Sequence, residues 1–279
     1  MQRIIWAGAF FALLLMSCEE TIVLDLNQTQ PGIIVEGLVS NVPDRQFVKV
    51  TRSVGFYDTG KPTPITNATV TVRDSQGNTY AFVHNPAGET NLNGYYYPTS
   101  GFAGTVGRTY TLSLQVDNQM YEAQDELLPV TRLDSIGYRL SKDQVEDPDE
   151  EGKIYELLLF AKEPQDTKDY YLFKFYRNDS LKVTNDNEIY FTDDVLLGER
   201  IDGLPSPVFF GEQDTARIEM MSLSRNGYLF YSDLVNLINN DGGMFGPPPA
   251  NPRTNLTNGA LGFFQASAIE ADTLLIVKK

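Results

Sequence analysis

From Gly32 onward the chain is divided into short runs rich in β-branched and aromatic residues, about one every ten residues: "IIVEGLVS", "QFVKVTRSV", "NATVTVRD", "NTYAFVHN", "GYYYPTS" and "TYTLSLQVD". Runs this short, bounded by turn-forming residues, are too brief for helices and have the composition of strands. Asp74-Ser75-Gln76-Gly77-Asn78 supplies a hairpin turn between two of them. On its flanks Val70, Val72, Tyr80 and Phe82 alternate with Thr69, Thr71, Arg73, Thr79 and Ala81, so one face of that hairpin is expected to be core. Evenly spaced short strands of this kind fold as β-sandwiches.

Leu127-Leu128-Pro129-Val130 closes this first unit, and Thr131-Arg132-Leu133 opens another. Its runs "IYELLLFAK", "DYYLFKFYRND", "TARIEMMSLS", "GALGFFQASAIEA" and "DTLLIVKK" are again strand-like, with one exception. In Tyr228 to Asn240 the apolar residues Phe230, Leu234, Leu237 and Ile238 recur at three- and four-residue steps, the period of an amphipathic helix. Asp241-Gly242-Gly243 suits its end. The expected fold is therefore mainly β: an N-terminal Ig-like β-sandwich at 32–130, followed by a second β-sandwich-like domain at 131–279 with one packed α-helix near 228–240. The segment "GMFGPPPANPRTNLT" carries four prolines, which remove donors and fix φ, so it reads as a loop.

The first thirty residues belong to neither domain. Arg3 precedes an apolar segment from Ile4 to Met16, long enough for a signal-peptide core and too short to span a bilayer. It ends in Leu15-Met16-Ser17-Cys18, which resembles the lipobox of bacterial lipoproteins: an apolar residue, a small residue before the cleaved bond, then cysteine. The resemblance implies a signal peptide at 1–17, an acylated Cys18 and a lipidated tether at 18–31. Cys18 is the only cysteine, so the mature domains have no disulfides and depend on their cores for stability. Glu19 and Glu20 directly after it resemble the surface-export signal of Bacteroidota lipoproteins, implying a lipid-anchored protein of the outer membrane that faces the cell exterior.

The formal charge is −15 and no basic run occurs, which disfavours nucleic acid as a partner. The acidic stretch 143–151, "DQVEDPDEE", lacks the spacing of a calcium loop and reads as a solvated connector. Chemistry is poorly supplied. His84 is the only histidine, no Gly-x-Ser-x-Gly elbow occurs, and phosphate-binding and dinucleotide fingerprints are absent. Metal ligation and cofactor binding have no support, and no cofactor is expected. Acid pairs such as Asp193-Asp194, or an acid such as Glu219, could serve a glycosidase, but with 37 acidic residues such candidates are expected without function. The chain reads as a non-enzyme.

Aromatic residues offer more. Tyr95-Tyr96-Tyr97, Phe209-Phe210 and Phe263-Phe264 adjoin Gly or Pro, although alternate members of such runs face a core. Phe245, set between Gly243 and the run Pro247, Pro248, Pro249, is the preferred anchor for a partner protein. Four tripeptides centred on Ser135, Ser180, Thr215 and Thr273 resemble the Asp-Ser/Thr-apolar acceptor of Bacteroidota O-glycosylation. Turn-to-strand junctions generate the same tripeptide.

"GGMFGPPPANPRTNLTNGALGFFQASAI", together with "LDL", "PGIIVEGLVS", "VTRSVGFYDTG" and "DTKDYYLFKFY", resembles the Bacteroidota lipoproteins of domain-of-unknown-function family 4249. The likeness covers nearly the whole mature chain. It implies a surface lipoprotein that assists a TonB-dependent outer-membrane transporter or binds its nutrient, with the ligand unnamed. A structural or adhesive surface module is the alternative, and a carboxylate-dependent hydrolase the third reading.

Overall fold

The computed structural model describes residues 31–54, 60–142, 145–148, 150–183, 188–193, 199–240 and 250–278. The architecture is mainly β and sandwich-like, as the strand spacing implies. Its first sheet contains β1 (Ile33–Ser40), β2 (Phe47–Arg52), β3 (Thr63–Pro64), β4 (Thr69–Asp74), β5 (Thr79–His84), β6 (Tyr95–Pro98), β7 (Thr109–Val116) and β8 (Gln119–Glu126). Val70, Val72 and Phe82 are buried and Tyr80 packs against them, so the β4–β5 hairpin turns the expected face inward. Asp74 organises its turn. The buried carboxylate accepts the amides of Gln76 and Asn78 at 3.0 and 2.9 Å and an Arg108 ion pair at 2.8 Å.

The ninth strand comes from the far end of the chain. β16 (Leu261–Ser267) pairs in parallel with β1, from Ile34↔Leu261 to Ser40↔Ser267, giving the order β16-β1-β2-β6-β5-β4-β7-β8 with β3 beside β2. Parallel neighbours require a long crossover, and here the crossover contains most of the second half of the chain. The sheet also rolls up until β8 meets β16. Asn255 sits in the seam: its Nδ2 donates to the carbonyls of Gln124 and Phe264 at 3.0 and 2.7 Å, and its Oδ1 accepts the Phe264 amide at 3.0 Å. Inside this roll Phe264 and Ala266 complete a core of Val35, Val48, Leu112 and Leu114. The segment 32–130 delimited above therefore lacks one strand of its own sheet.

The second half forms two facing sheets. One orders β14 (Arg200–Phe210), β10 (Tyr155–Lys162) and β9 (Leu133–Leu140). The other orders β12 (Ser180–Lys182), β11 (Tyr170–Arg177), β15 (Thr215–Ser222) and β17 (Ile269–Leu275), with β13 (Tyr190–Asp193) also on β11. Period-two alternation places Leu157 and Leu159 of β10 against Phe173 and Phe175 of β11 and Ile218 and Met220 of β15. β16 and β17 are separated by Ala268 alone, so one extended run serves the first sheet and then the five-stranded one. Its crossing point is fixed: the Ala268 amide donates to Ser222 Oγ at 2.9 Å, and the Ile269 amide to Asn41 Oδ1 at 2.7 Å. Residues 31–279 form one compact unit.

α1 (Arg225–Ile238) covers the outer face of the five-stranded sheet. It begins three residues before the expected Tyr228 because Ser224 caps it, accepting the Gly227 amide at 3.1 Å. Arg225 and Asn226 are exposed, so the apolar period had no signal in that first turn. Tyr228 packs on Tyr170 at 4.8 Å and on Phe191 at 5.5 Å.

Candidate functional site

A cavity of about 410 Å³ opens where the rolled sheet, the five-stranded sheet and α1 converge. Alternation along β11 creates its floor. Tyr171, Phe173 and Phe175 face the sandwich core, leaving Leu172, Lys174 and Tyr176 on the opposite face, where α1, β1 and Phe47 of β2 provide further walls. Leu172, Met221, Leu38 and Phe47 line the base; Phe230, Leu234 and Leu237 of α1 line one side; and Leu261 and Phe263 of β16 line the other. This explains a feature of α1: its apolar residues are only half-buried, because they face the cavity instead of a filled core. Phe230 and Phe263 stack at 5.1 Å, and Tyr231 donates to Gln265 Oε1 at 2.8 Å.

Lys174, on the cavity lining, adjoins a charged cluster that lies outside it. Glu219 of β15 is 1% exposed and lies directly opposite Lys174 in the β11–β15 ladder. Its two oxygens accept both Nη atoms of Arg45 at 2.8 and 2.9 Å, while Arg217 Nη1 donates to Oε1 and Tyr176 Oη to Oε2, the latter at 3.0 Å. The Arg217 guanidinium also lies 3.7 Å above the Tyr176 ring. Burial alone would push the Glu219 carboxyl up, yet Arg45, Tyr176 and Arg217 together hold it below the usual range. Burial and the neighbouring Glu219 push the Tyr176 phenol up. Glu219 is thus fully committed as an acceptor. Lys174 has no ion pair among the described residues, and burial pushes its ammonium below the ordinary lysine value against the pull of Glu219 and Glu36. Glu36, also at the cavity, is 64% exposed and turned to Lys49 at 3.8 Å.

The residues singled out from sequence fall in three groups. Cys18, Glu19, Glu20, Phe245, Pro247, Pro248 and Pro249 lie outside the described residues, as does Asp194. Ser135, Ser180, Thr215 and Thr273 are all exposed, the first on edge strand β9, the second on β12, the third opening β15 and the last on edge strand β17. His84 is structural, its Nε2 accepting the Gly94 amide at 3.0 Å beside Tyr96. Of the acidic connector, Asp147 and Glu150 pair with Arg177, and Glu150 also with Lys182 at 2.9 Å. Among the described residues no cluster of three or more His, Cys, Asp or Glu side chains could hold a metal ion. Within the aromatic runs, Tyr96, Phe210 and Phe264 are core, while Phe263 reaches the cavity.

The cavity itself was missed by sequence reasoning. Its one local signal was Lys174, a lone cation in the apolar run "YYLFKFY". The model of the family described as "Domain of unknown function (DUF4249)" matches residues 19–272. No curated protein matches the chain.

Proposed function

The chain belongs to the DUF4249 family, and from that premise we propose that it is a lipid-anchored, non-enzymatic binding protein on the outer face of the outer membrane, serving TonB-dependent nutrient uptake. The observation that carries the binding reading is the apolar cavity at the junction of both sheets and α1, with Lys174 on its lining and a half-buried helix as its wall. Cys18, in its lipobox-like setting, supplies the anchor; several acyl chains hold far more durably than one, since each buried methylene contributes ~0.8 kcal/mol. Glu19 and Glu20 supply the export signal. Phe245 and Pro247 to Pro249, an aromatic beside a proline run in the sequence, supply the contact with a transporter able to receive the ligand. Ser135, Ser180, Thr215 and Thr273 are exposed as O-glycan acceptors must be.

Affinity purification from solubilised outer membranes under uptake conditions tests this reading. A TonB-dependent transporter should co-purify, and less of it should do so with Phe245→Ala. A lipoprotein recovered alone, or one whose Cys18 carries a free thiol, would contradict it.

A further inference from the structure

The ligand class follows from what the cavity leaves unsatisfied. Its walls are aliphatic and aromatic, with Leu172, Met221, Phe230 and Leu234 prominent. Behind its wall Arg45 and Arg217 hold the buried Glu219, which lies opposite Lys174 in the β11–β15 ladder; of these four Lys174 alone lines the cavity, together with the exposed Glu36, in a chain whose overall formal charge is −15. Both arginines are bound to Glu219, and the fork of Arg45 is occupied at both nitrogens. Lys174 is the one of these cations without an ion pair among the described residues. A half-buried ammonium without a partner is costly, and the apolar walls beside it cannot supply one. A bound anion can. We propose that the cavity binds an apolar monocarboxylate whose head group pairs with Lys174 Nζ and whose hydrocarbon body lies along α1.

A single charge is specified because, among the described residues lining the cavity, Lys174 is the one cation without an ion pair. A carboxylate fits better than a phosphate, since among the described residues no arginine lines the cavity to receive a doubly charged group. The volume of about 410 Å³ equals that of roughly fourteen liquid water molecules at ~30 Å³ each, so an acid of about a dozen non-hydrogen atoms fits. Desolvation, which disfavours the Lys174 charge, also strengthens its attraction to a carboxylate that excludes water from it.

This inference rests on the cavity being a ligand site, and the experiment separates the two claims. The full chain carrying Cys18→Ser, which has no acyl group of its own to enter the cavity, is titrated calorimetrically with decanoate, decanol and decylammonium. Decanoate should bind tightest. Lys174→Met should weaken decanoate at least about tenfold, the value of one charge-assisted bond, and leave decanol unchanged. Leu234→Trp, which fills the cavity from α1, should abolish both. Circular dichroism and thermal melting confirm that each variant is folded. Equal affinity for decanoate and decanol, tighter decylammonium, or a Lys174→Met variant that binds decanoate normally would overturn the counter-ion claim while leaving the site intact. Binding of none of the three, or binding indifferent to Leu234→Trp, would overturn the ligand site itself.

Discussion

Substituting Gly262 with alanine tests whether the C-terminal strand truly closes the N-terminal sheet. Gly262 has φ +92°, and a Cβ there would stand 2.0 Å from the carbonyl oxygen of Val35 and 2.9 Å from its carbonyl carbon. Val35 is fully buried in β1, so the obstruction is a core backbone segment and not a side chain that could swing aside. Two costs combine. Holding alanine at positive φ takes about 1–2 kcal/mol, and moving β16 away from β1 to relieve the overlap takes about 1–3 kcal/mol or more, besides any ladder bonds lost at about 1 kcal/mol each. Gly259→Ala is the control: its φ is +76°, but nothing lies within 4 Å of the added Cβ, so it bears the conformational cost alone. Gly262→Ala should therefore lose roughly 3–5 kcal/mol and Gly259→Ala about 1 kcal/mol. In urea unfolding, with a slope near 3 kcal/mol/M, the first should shift the midpoint by more than about 1 M and the second by about a third of that. Equal shifts for the two variants would refute the close β1–β16 approach.

Three further predictions follow from buried groups. Asp125 of β8 accepts the Ala266 amide of β16 at 2.9 Å, and burial raises its pKa to about 6 against the opposing bonds from Ala266, Ser224 and Glu126. The folded chain thus retains a proton that the unfolded chain releases near 4, and stability from this group falls as pH rises from about 4 to 6, by up to ~3 kcal/mol. Asp125→Asn should remove that loss, so its stability relative to the parent improves between pH 4 and pH 7; a difference independent of pH would contradict this. Glu219→Gln strands Arg45 and Arg217 together and should cost about 3–5 kcal/mol in denaturant melts, more than Arg45→Met, which leaves Glu219 with Arg217 and Tyr176. The reverse order would show that the network is not organised around Glu219. A fragment of residues 31–130 lacks Phe264 and Ala266 from its core and the Asn255 seam, and should give a poorly dispersed NMR spectrum while residues 31–279 give a dispersed one. Good dispersion from the short fragment would argue that β16 is dispensable.

Local chemistry was readable and distant pairing was not. The β4–β5 hairpin announces itself through Asp74 to Asn78 and its alternating flanks, and α1 through its three- and four-residue steps, because both signals lie within a dozen residues. β16 reads equally well as a strand, but nothing in "LGFFQAS" says that its partner is β1, more than two hundred residues earlier. Placing that run in a C-terminal domain followed from sequence proximity, which long crossovers defeat. The same limit hid the charged cluster beside the cavity: Arg45 and Glu219 are 174 residues apart, and Glu219 looked like one acid among many. Lys174 falls on the outward side of β11 in period two, the ordinary place for a lysine, and only the covering α1 makes that side an interior. Asp125 was a legible anomaly, since Tyr121 and Ala123 share its face and both are buried.

The most direct measurement is the content of the cavity in protein purified from the cells that make it. Denaturing extraction followed by mass spectrometry should release an apolar monocarboxylate from the parent chain, in near-stoichiometric amount, and little or none from Leu234→Trp purified alongside it. Identical small-molecule content in the two preparations, whether loaded or empty, would contradict the assignment of this cavity as the site at which the protein works.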